Sequence, residues 1–331
     1  MEGVSLSVVM PVFNEASHLP ATIEALVAAL AGDGFDAELV LVDDGSSDGS
    51  AAAADASLDE RLPLRTLSQP NLGRFEARRA GLAAARGDFV LFLDARVRVA
   101  PGALRFVSER LEHERVWNGH VEVESDNVFG RFWRLLAELA WRDYFDRPRT
   151  ASFGLDDFDR FPKGTTCFLA PRVLLESAFA QFRTRYADTR LANDDTPILR
   201  ALAATERIAI SPSFGCVYSP RTSAKSFLRH SLRRGVVFVD GHGTRASRFF
   251  PLVVCFYPVS AALAYAAVRR PVVAPAAFVA CGLAAAAYGA RARRPARDIA
   301  TLALVTPLYA VAHGAGMWRG LGTLARQRLR S

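Results

Sequence analysis

The segment LFLDAR, residues 91–96, ends an apolar run on the carboxylate of Asp94 and places the guanidinium of Arg96 two residues later. Two other apolar runs also end on acids: VVMPVFNE reaches Asn14 and Glu15, and ELVLVDD reaches Asp43 and Asp44. A further acidic pair, Asp194 and Asp195 in LANDDTPILR, stands just before a helical pattern. Carboxylates accept hydrogen bonds, which suits them to the N–H groups of a nucleotide base and to ribose hydroxyls. Two of them at one strand end can also hold a divalent metal against a diphosphate. Here the second position is Arg96, with Arg98 following on the same face of an extended strand. A guanidinium fork can neutralise phosphate oxygens as a metal does, so Arg96 could supply part of such a charge if the site handles a diphosphate. Ordinary alternatives stand beside each reading. Asp43 or Asp44 could cap a turn through Gly45, Arg96 could face away and pair with Asp88, and Asn193 or Asp194 could simply cap the next helix.

The elements that must position these groups are legible from periodicity. Residues 5–13 read as a buried strand, and residues 17–31 as a helix with Ser17 as cap and Gly32 as its end. A second strand ends at Asp43 and Asp44, with Ser46 or Ser47 capping an alanine-rich helix. A third helix over roughly 74–86 ends at Gly87 and leads into the strand DFVLFLDA. Strand and helix alternating about every 30 residues predicts an α/β fold with a mostly parallel, Rossmann-like sheet and crossover helices. Ligands of such sheets bind beyond the carboxyl ends of the strands, where the acids above converge. Farther on, residues 127–145 are aromatic-rich and partly helical, 163–175 read as turn, strand and helix, and 226–250 carry a basic cluster with a glycine-rich turn.

Three apolar segments, about 249–268, 271–290 and 299–318, reach the length of a membrane helix. The third contains His313, Gly314 and Gly316 and is expected to span, re-enter or lie at the interface. Arginine-rich RARRPARD between the second and third marks a cytoplasmic side, agreeing with a start, MEGVSLSVVM, whose acid at position 2 and short apolar run do not suit a signal peptide. Charge follows the same division. Residues 1–248 carry a net charge of −2 and residues 249–331 a net of +9, so the basic character belongs to the apolar quarter. That argues against a nucleic-acid partner and for anionic membrane lipids. Cys167, Cys216, Cys255 and Cys281 lie far apart, and His18, His113, His120 and His242 show no ligand spacing, so these read as core, membrane or surface residues.

VVMPVFNE, VLVDDGSSDGS and NLGRFEARRAGLAAARGDFVLFLDA, in that order and spacing, closely resemble the N-terminal half of the family 2 glycosyltransferases, which have the GT-A fold; NDD and HSLRR extend the likeness more loosely to about residue 240. The resemblance implies transfer of a sugar from a nucleotide-diphosphate sugar, of UDP or GDP type, to an acceptor hydroxyl. It implies donor contacts from Glu15, Asp43, Asp44 and Asp94, with Pro11, Arg78 and Arg96 as further donor-side candidates, and a general base at Asp195 with Asp194 in reserve. Gly164 and Thr165 match a turn beneath the acceptor. His230 and Arg233 match the spacing of Gln-x-x-Arg-Trp in processive relatives, whereas Arg234 replaces the aromatic, which argues against long-chain synthesis; the cluster could grip a diphosphate, a lipid phosphate or anionic headgroups. The family's Asp-x-Asp implies Mn or Mg. With Arg96 in the second position, a metal would rest on Asp94 with outside help, or Arg96 would supply the charge.

The expected organisation is a cytoplasmic GT-A domain over 1–225, a basic juxtamembrane segment over 226–248 and a plasma-membrane region of two or three helices over 249–331. The expected acceptor is lipid-linked or a cell-surface glycan. Two other readings are a sugar nucleotidyltransferase, disfavoured by the C-terminal apolar quarter, and a catalytically silent nucleotide-binding scaffold, suggested by the altered Asp-x-Asp.

Overall fold

The computed structural model describes residues 4–32, 34–57, 62–245 and 247–329, so the acid at position 2 and the last two residues lie outside it. The first half alternates as its periodicity implies: β1 (Val4–Val12), α1 (Leu19–Leu30), β2 (Phe35–Asp43), α2 (Ser50–Asp55), β3 (Leu64–Ser68), α3 (Arg74–Ala84) and β4 (Phe89–Leu93). There follow β5 (Val97–Val99), α4 (Ala103–Ser108), β6 (Trp117–Val123), α5 (Val128–Ala140), α6 (Arg142–Phe145) and β7 (Ala151–Phe153). The last strands and their helices are β8 (Cys167–Pro171), α7 (Arg172–Ala180), α8 (Thr196–Ala203) and β9 (Ile208–Tyr218). Four helices close the chain: α9 (Ala224–His242), α10 (Phe250–Arg269), α11 (Val273–Arg291) and α12 (Ala296–Arg328).

The chain divides into two compact units. The first comprises Met1–Val123, Ala137–Arg183 and Asp194–Ser219, and the second Glu124–Leu136, Thr184–Asn193 and Pro220–Ser331. In the first unit the strands order as β3-β2-β1-β4-β8-β6-β9-β5, with β7 pairing β9. Strands β1 to β4 run parallel, and β8 turns the sheet antiparallel where it meets β4. Buried Val8 and Met10 of β1 join a core with Leu19, Ile23 and Leu26 of α1, while Val9 joins a core with Phe75 and Leu82 of α3 and Leu199 of α8. Helices therefore cover both faces, which is why β1 and β4 are apolar without alternation. The order of strands reverses between β1 and β4, the place where open α/β sheets bind ligands. Helix α3 approaches β1 closely because residue 81 is glycine: a Cβ there would stand 2.3 Å from Val9 Cγ1.

Two expected helix starts differ in detail. Helix α1 begins at Leu19 behind His18 rather than Ser17, with proline in its first turn. Helix α2 begins at Ser50 behind Gly49, whose φ is 81°, because Ser46 and Ser47 are engaged elsewhere. Asn14, left-handed at φ 55°, donates its N–H to Ser46 Oγ at 3.0 Å and accepts from Ser47 N at 2.8 Å. The two serines thus tie the loop after β2 to the end of β1.

In the second unit, α10, α11 and α12 are long and apolar enough to cross a membrane, with mean hydropathies of 1.8, 1.7 and 1.4. Val259, Leu263, Val268, Leu283 and Leu304 stand exposed along them, a distribution that water does not favour and lipid does. The third apolar segment is one continuous helix of 33 residues, longer than its hydropathy implies, running on past Gly314 and Gly316. Its later turns pack on α9 with nearly touching backbones. A Cβ on Gly316 would lie 2.0 Å from the Leu232 carbonyl oxygen, and one on Gly235 2.0 Å from that of His313. At the start of α12, buried Asp298 accepts from Arg134 Nη2 of α5 with both oxygens, at 2.8 and 3.0 Å.

Candidate active site

The acids at the ends of β1, β2 and β4 share one rim of the sheet, and a buried arginine joins one of them, Asp94, to Asp194 and Asp195 before α8. Arg78, on the sheet-facing side of α3, is only 1% exposed. Its Nη2 donates to Asp94 Oδ1 at 2.7 Å and its Nη1 to Asp194 Oδ2 at 2.6 Å; Asp195 Oδ1 lies 3.6 Å from the same Nη1. One planar fork therefore links the end of β4 to the start of α8, 116 residues downstream of Arg78. Asp94 is fixed on its other side by its backbone N–H, which donates to the Thr166 carbonyl at 2.9 Å.

Asp195 occupies the N-cap position of α8, yet its carboxylate turns to Thr165, whose hydroxyl donates to Oδ1. Gly164 is held beside it by donating its N–H to Asn118 Oδ1 at 3.0 Å. Burial raises the Asp195 pKa above the ordinary aspartate value, and the neighbouring Asp194 charge raises it further; Arg78, Arg74 and the Thr165 hydroxyl pull the other way. The side chain keeps 35% of its surface open to the rim. An acid so placed is a better proton acceptor than a free aspartate and is reachable by a substrate.

At the end of β1, buried Glu15 pairs with Arg96, Oε2 to Nε at 2.7 Å, across the β1–β4 reversal. Arg96 thus turns toward the rim, whereas Asp88 accepts from the Ser5 hydroxyl. Pro11 is buried within β1 opposite Val42. Asp43 accepts the Ser46 N–H at 2.8 Å, a local turn. Asp44 accepts from Gln69 Nε2, Leu72 N and Gly73 N at 2.7, 2.8 and 2.8 Å, fastening the segment that leads into α3. Its carboxylate thereby sets the position of Arg78.

His230, Arg233 and Arg234 belong to the second unit, on α9. There the Arg234 guanidinium lies 5.1 Å over the Trp133 ring, His230 meets that ring edge-on at 5.2 Å, and Arg233 donates to the Arg190 carbonyl at 3.3 Å. Sequence reasoning missed Arg74, whose Nη2 reaches Asp194 Oδ1 at 3.3 Å. Its spacing of four from Arg78 puts both guanidiniums on one helix face, a signal that was available. Asn118 was also missed, because its pairing with Gly164 could not be inferred from spacing.

These residues do not form a metal site as they stand. One oxygen of Asp94 is held by Arg78, the position two residues on is a cation, and no cluster of three or more His, Cys, Asp or Glu able to hold a metal occurs among the described residues.

A model of the family described as "Glycosyl transferase family 2" matches residues 7–176. The succinoglycan biosynthesis protein ExoO of Rhizobium meliloti is 30% identical over 220 residues, 66% of this chain and 61% of that protein. Undecaprenyl-phosphate 4-deoxy-4-formamido-L-arabinose transferase of Pectobacterium carotovorum is 42% identical over 99 residues, 29% of this chain and 30% of that one. The match therefore spans less than two thirds of either relative. Among solved structures, the mannosyltransferase PcManGT of Pyrobaculum calidifontis, in complex with GDP-Man and Mn2+, is similar at a TM-score of 0.53 and 19% identity, covering 98% of this chain and 86% of its own. S. aureus TarS 1-349 in complex with UDP-GlcNAc is similar at a TM-score of 0.51 and 16% identity, covering 93% of this chain and 92% of its own. The fold is GT-A, as the order of motifs implies.

Replacing Arg78 by methionine leaves two acids facing each other without their shared cation, and the loss of one member of a buried charge cluster typically costs about 3–5 kcal/mol. Arg78→Met should lower the melting temperature of the purified protein by several degrees, and Arg78→Lys should recover only part, because an ammonium lacks the fork. Unchanged melting in both variants would contradict the bridge.

Proposed function

Because the chain belongs to glycosyl transferase family 2, we propose that it is an inverting glycosyltransferase moving a sugar from a nucleotide-diphosphate sugar to a hydroxyl of a lipid-linked or cell-surface glycan acceptor. The observation that carries this reading is the Arg78 bridge, which sets Asp94 at the donor strand end beside Asp195 at the start of α8. Inversion needs one base on the acceptor side while the diphosphate departs on the other, and both kinds of group stand at one rim. Asp195 is the base, with Asp194 holding its environment; Gly164 and Thr165 border the acceptor. Pro11, Glu15, Asp43 and Asp44 shape the nucleotide side. Arg96 neutralises the departing diphosphate: its ion pair with Glu15, Nε to Oε2 at 2.7 Å, keeps the guanidinium at the rim. A metal at Asp94 is the competing source of that charge.

The lipid-linked acceptor is supported by the undecaprenyl-phosphate transferases among the relatives and by the three apolar helices. In this proposal 1–225 form the catalytic part at the cytoplasmic face of the plasma membrane, 226–248 the basic segment in which His230, Arg233 and Arg234 meet phosphate, and 249–331 a multi-pass anchor. Arg291 at the end of α11 and Arg293 and Arg294 before α12 support that orientation.

Nucleotide sugars of UDP and GDP type, screened for transfer or slow hydrolysis with the protein in detergent, supply the assay. Asp195→Asn should keep its melting temperature and lose roughly 10²- to 10⁴-fold in turnover. Near-full turnover would remove Asp195 as the base. Wild-type activity in excess chelator should persist at a substantial fraction of that with added Mn2+; complete loss would assign the diphosphate charge to a metal instead of Arg96.

A further inference from the structure

Three guanidiniums reach the acidic rim, and they differ in how firmly they are held. Arg78 is 1% exposed and bonded at 2.6 and 2.7 Å to two carboxylates. Arg96 is 17% exposed, with its Nε 2.7 Å from Glu15. Arg74, the first residue of α3, is 43% exposed, and among the described residues it pairs with Asp194 at a longer 3.3 Å. The Asp194 carboxylate is already held by Arg78 through its other oxygen, so two cations share one acid. If Arg74 swung away, Asp194 would keep its buried partner, and Arg74, the more exposed of the two cations, would reach solvent. The rim also carries more acids than bases: Glu15, Asp43, Asp44, Asp94, Asp194 and Asp195 against Arg74, Arg78 and Arg96. A phosphate approaching it needs a cation that can turn outward.

We propose that Arg74 is a phosphate-binding residue of this site, exchanging Asp194 for a phosphate oxygen of the ligand. The inference rests on the glycosyltransferase reading and deepens it, by naming a cation that meets phosphate from a position where the family resemblance carries no assignment. The shared chemistry is a phosphate oxyanion, whether in the donor's diphosphate or in a phosphorylated lipid acceptor.

Calorimetric titration of the full chain in detergent tests it. The probes are UDP and GDP, the nucleosides uridine and guanosine, and undecaprenyl phosphate. Arg74→Gln should weaken binding of a phosphate-bearing probe by roughly 10- to 100-fold and leave nucleoside affinity unchanged, with Arg74→Lys intermediate. Weakened diphosphate binding places Arg74 on the donor; weakened undecaprenyl phosphate binding with unchanged diphosphate binding places it on the acceptor. Unchanged affinity for both in a variant that melts like wild type overturns the proposal while the glycosyltransferase reading stands. Wild-type protein that binds neither UDP nor GDP overturns both.

Discussion

Asp94 and Asp194 come from segments a hundred residues apart and would repel each other at the rim if nothing stood between them. Arg78 stands between them, buried, with one nitrogen on each. Burying a guanidinium is costly unless its charge is matched, and these acids match it and each take a hydrogen bond from a terminal nitrogen, although Nε has no hydrogen-bond partner among the described residues. The dependence is mutual: the arginine can be buried because the carboxylates are there, and the carboxylates can be adjacent because the arginine is there. The environment of Asp195 follows from this cluster, since Asp194 raises its proton affinity and Arg78 and Arg74 restrain the rise.

Much of the first unit serves to deliver that one side chain. Asp44 gives both carboxylate oxygens to the segment before α3, setting where the helix begins. Gly81 lets the helix settle onto Val9 of β1, setting its depth. Between those two constraints Arg78 reaches the strand ends at the point where strand order reverses. The Glu15–Arg96 pair spans the same reversal and joins β1 to the segment after β4. A side chain added at residue 81, or a lost acid at residue 44, would act on the site through the placement of α3.

The sequence made the alternation of strands and helices legible because the short apolar runs of β1, β2 and β4 lead to acids, and α1 and α3 stop just before Gly32 and Gly87. It also made legible which acids would gather, since parallel sheets collect their strand ends on one side. It did not reveal their partners. Arg78 on its own helix looks like any solvated arginine, and only the meeting of β4, α3 and α8 makes it the hub. Ser46 and Ser47 are good helix caps in isolation, but the left-handed Asn14 draws them to the end of β1. The length of α12 was hidden because hydropathy falls after His313 while helical packing on α9 continues through Gly316.

In the second unit the apolar helices and the Arg134–Asp298 pair give the chain a region of different chemistry, with exposed aliphatic surface in place of a polar rim. The central claim, however, concerns the first unit: one guanidinium joins the end of β4 to the start of α8 at the rim proposed as the active site. An experimental structure of the full protein with a nucleotide-diphosphate sugar bound tests it most directly. The account predicts Arg78 still bridging Asp94 and Asp194, the diphosphate at the β1–β4 rim, and the Asp195 carboxylate facing the anomeric carbon from the side opposite the leaving group. A donor bound in another cavity, or at a rim where Arg78 has released both acids, would contradict it.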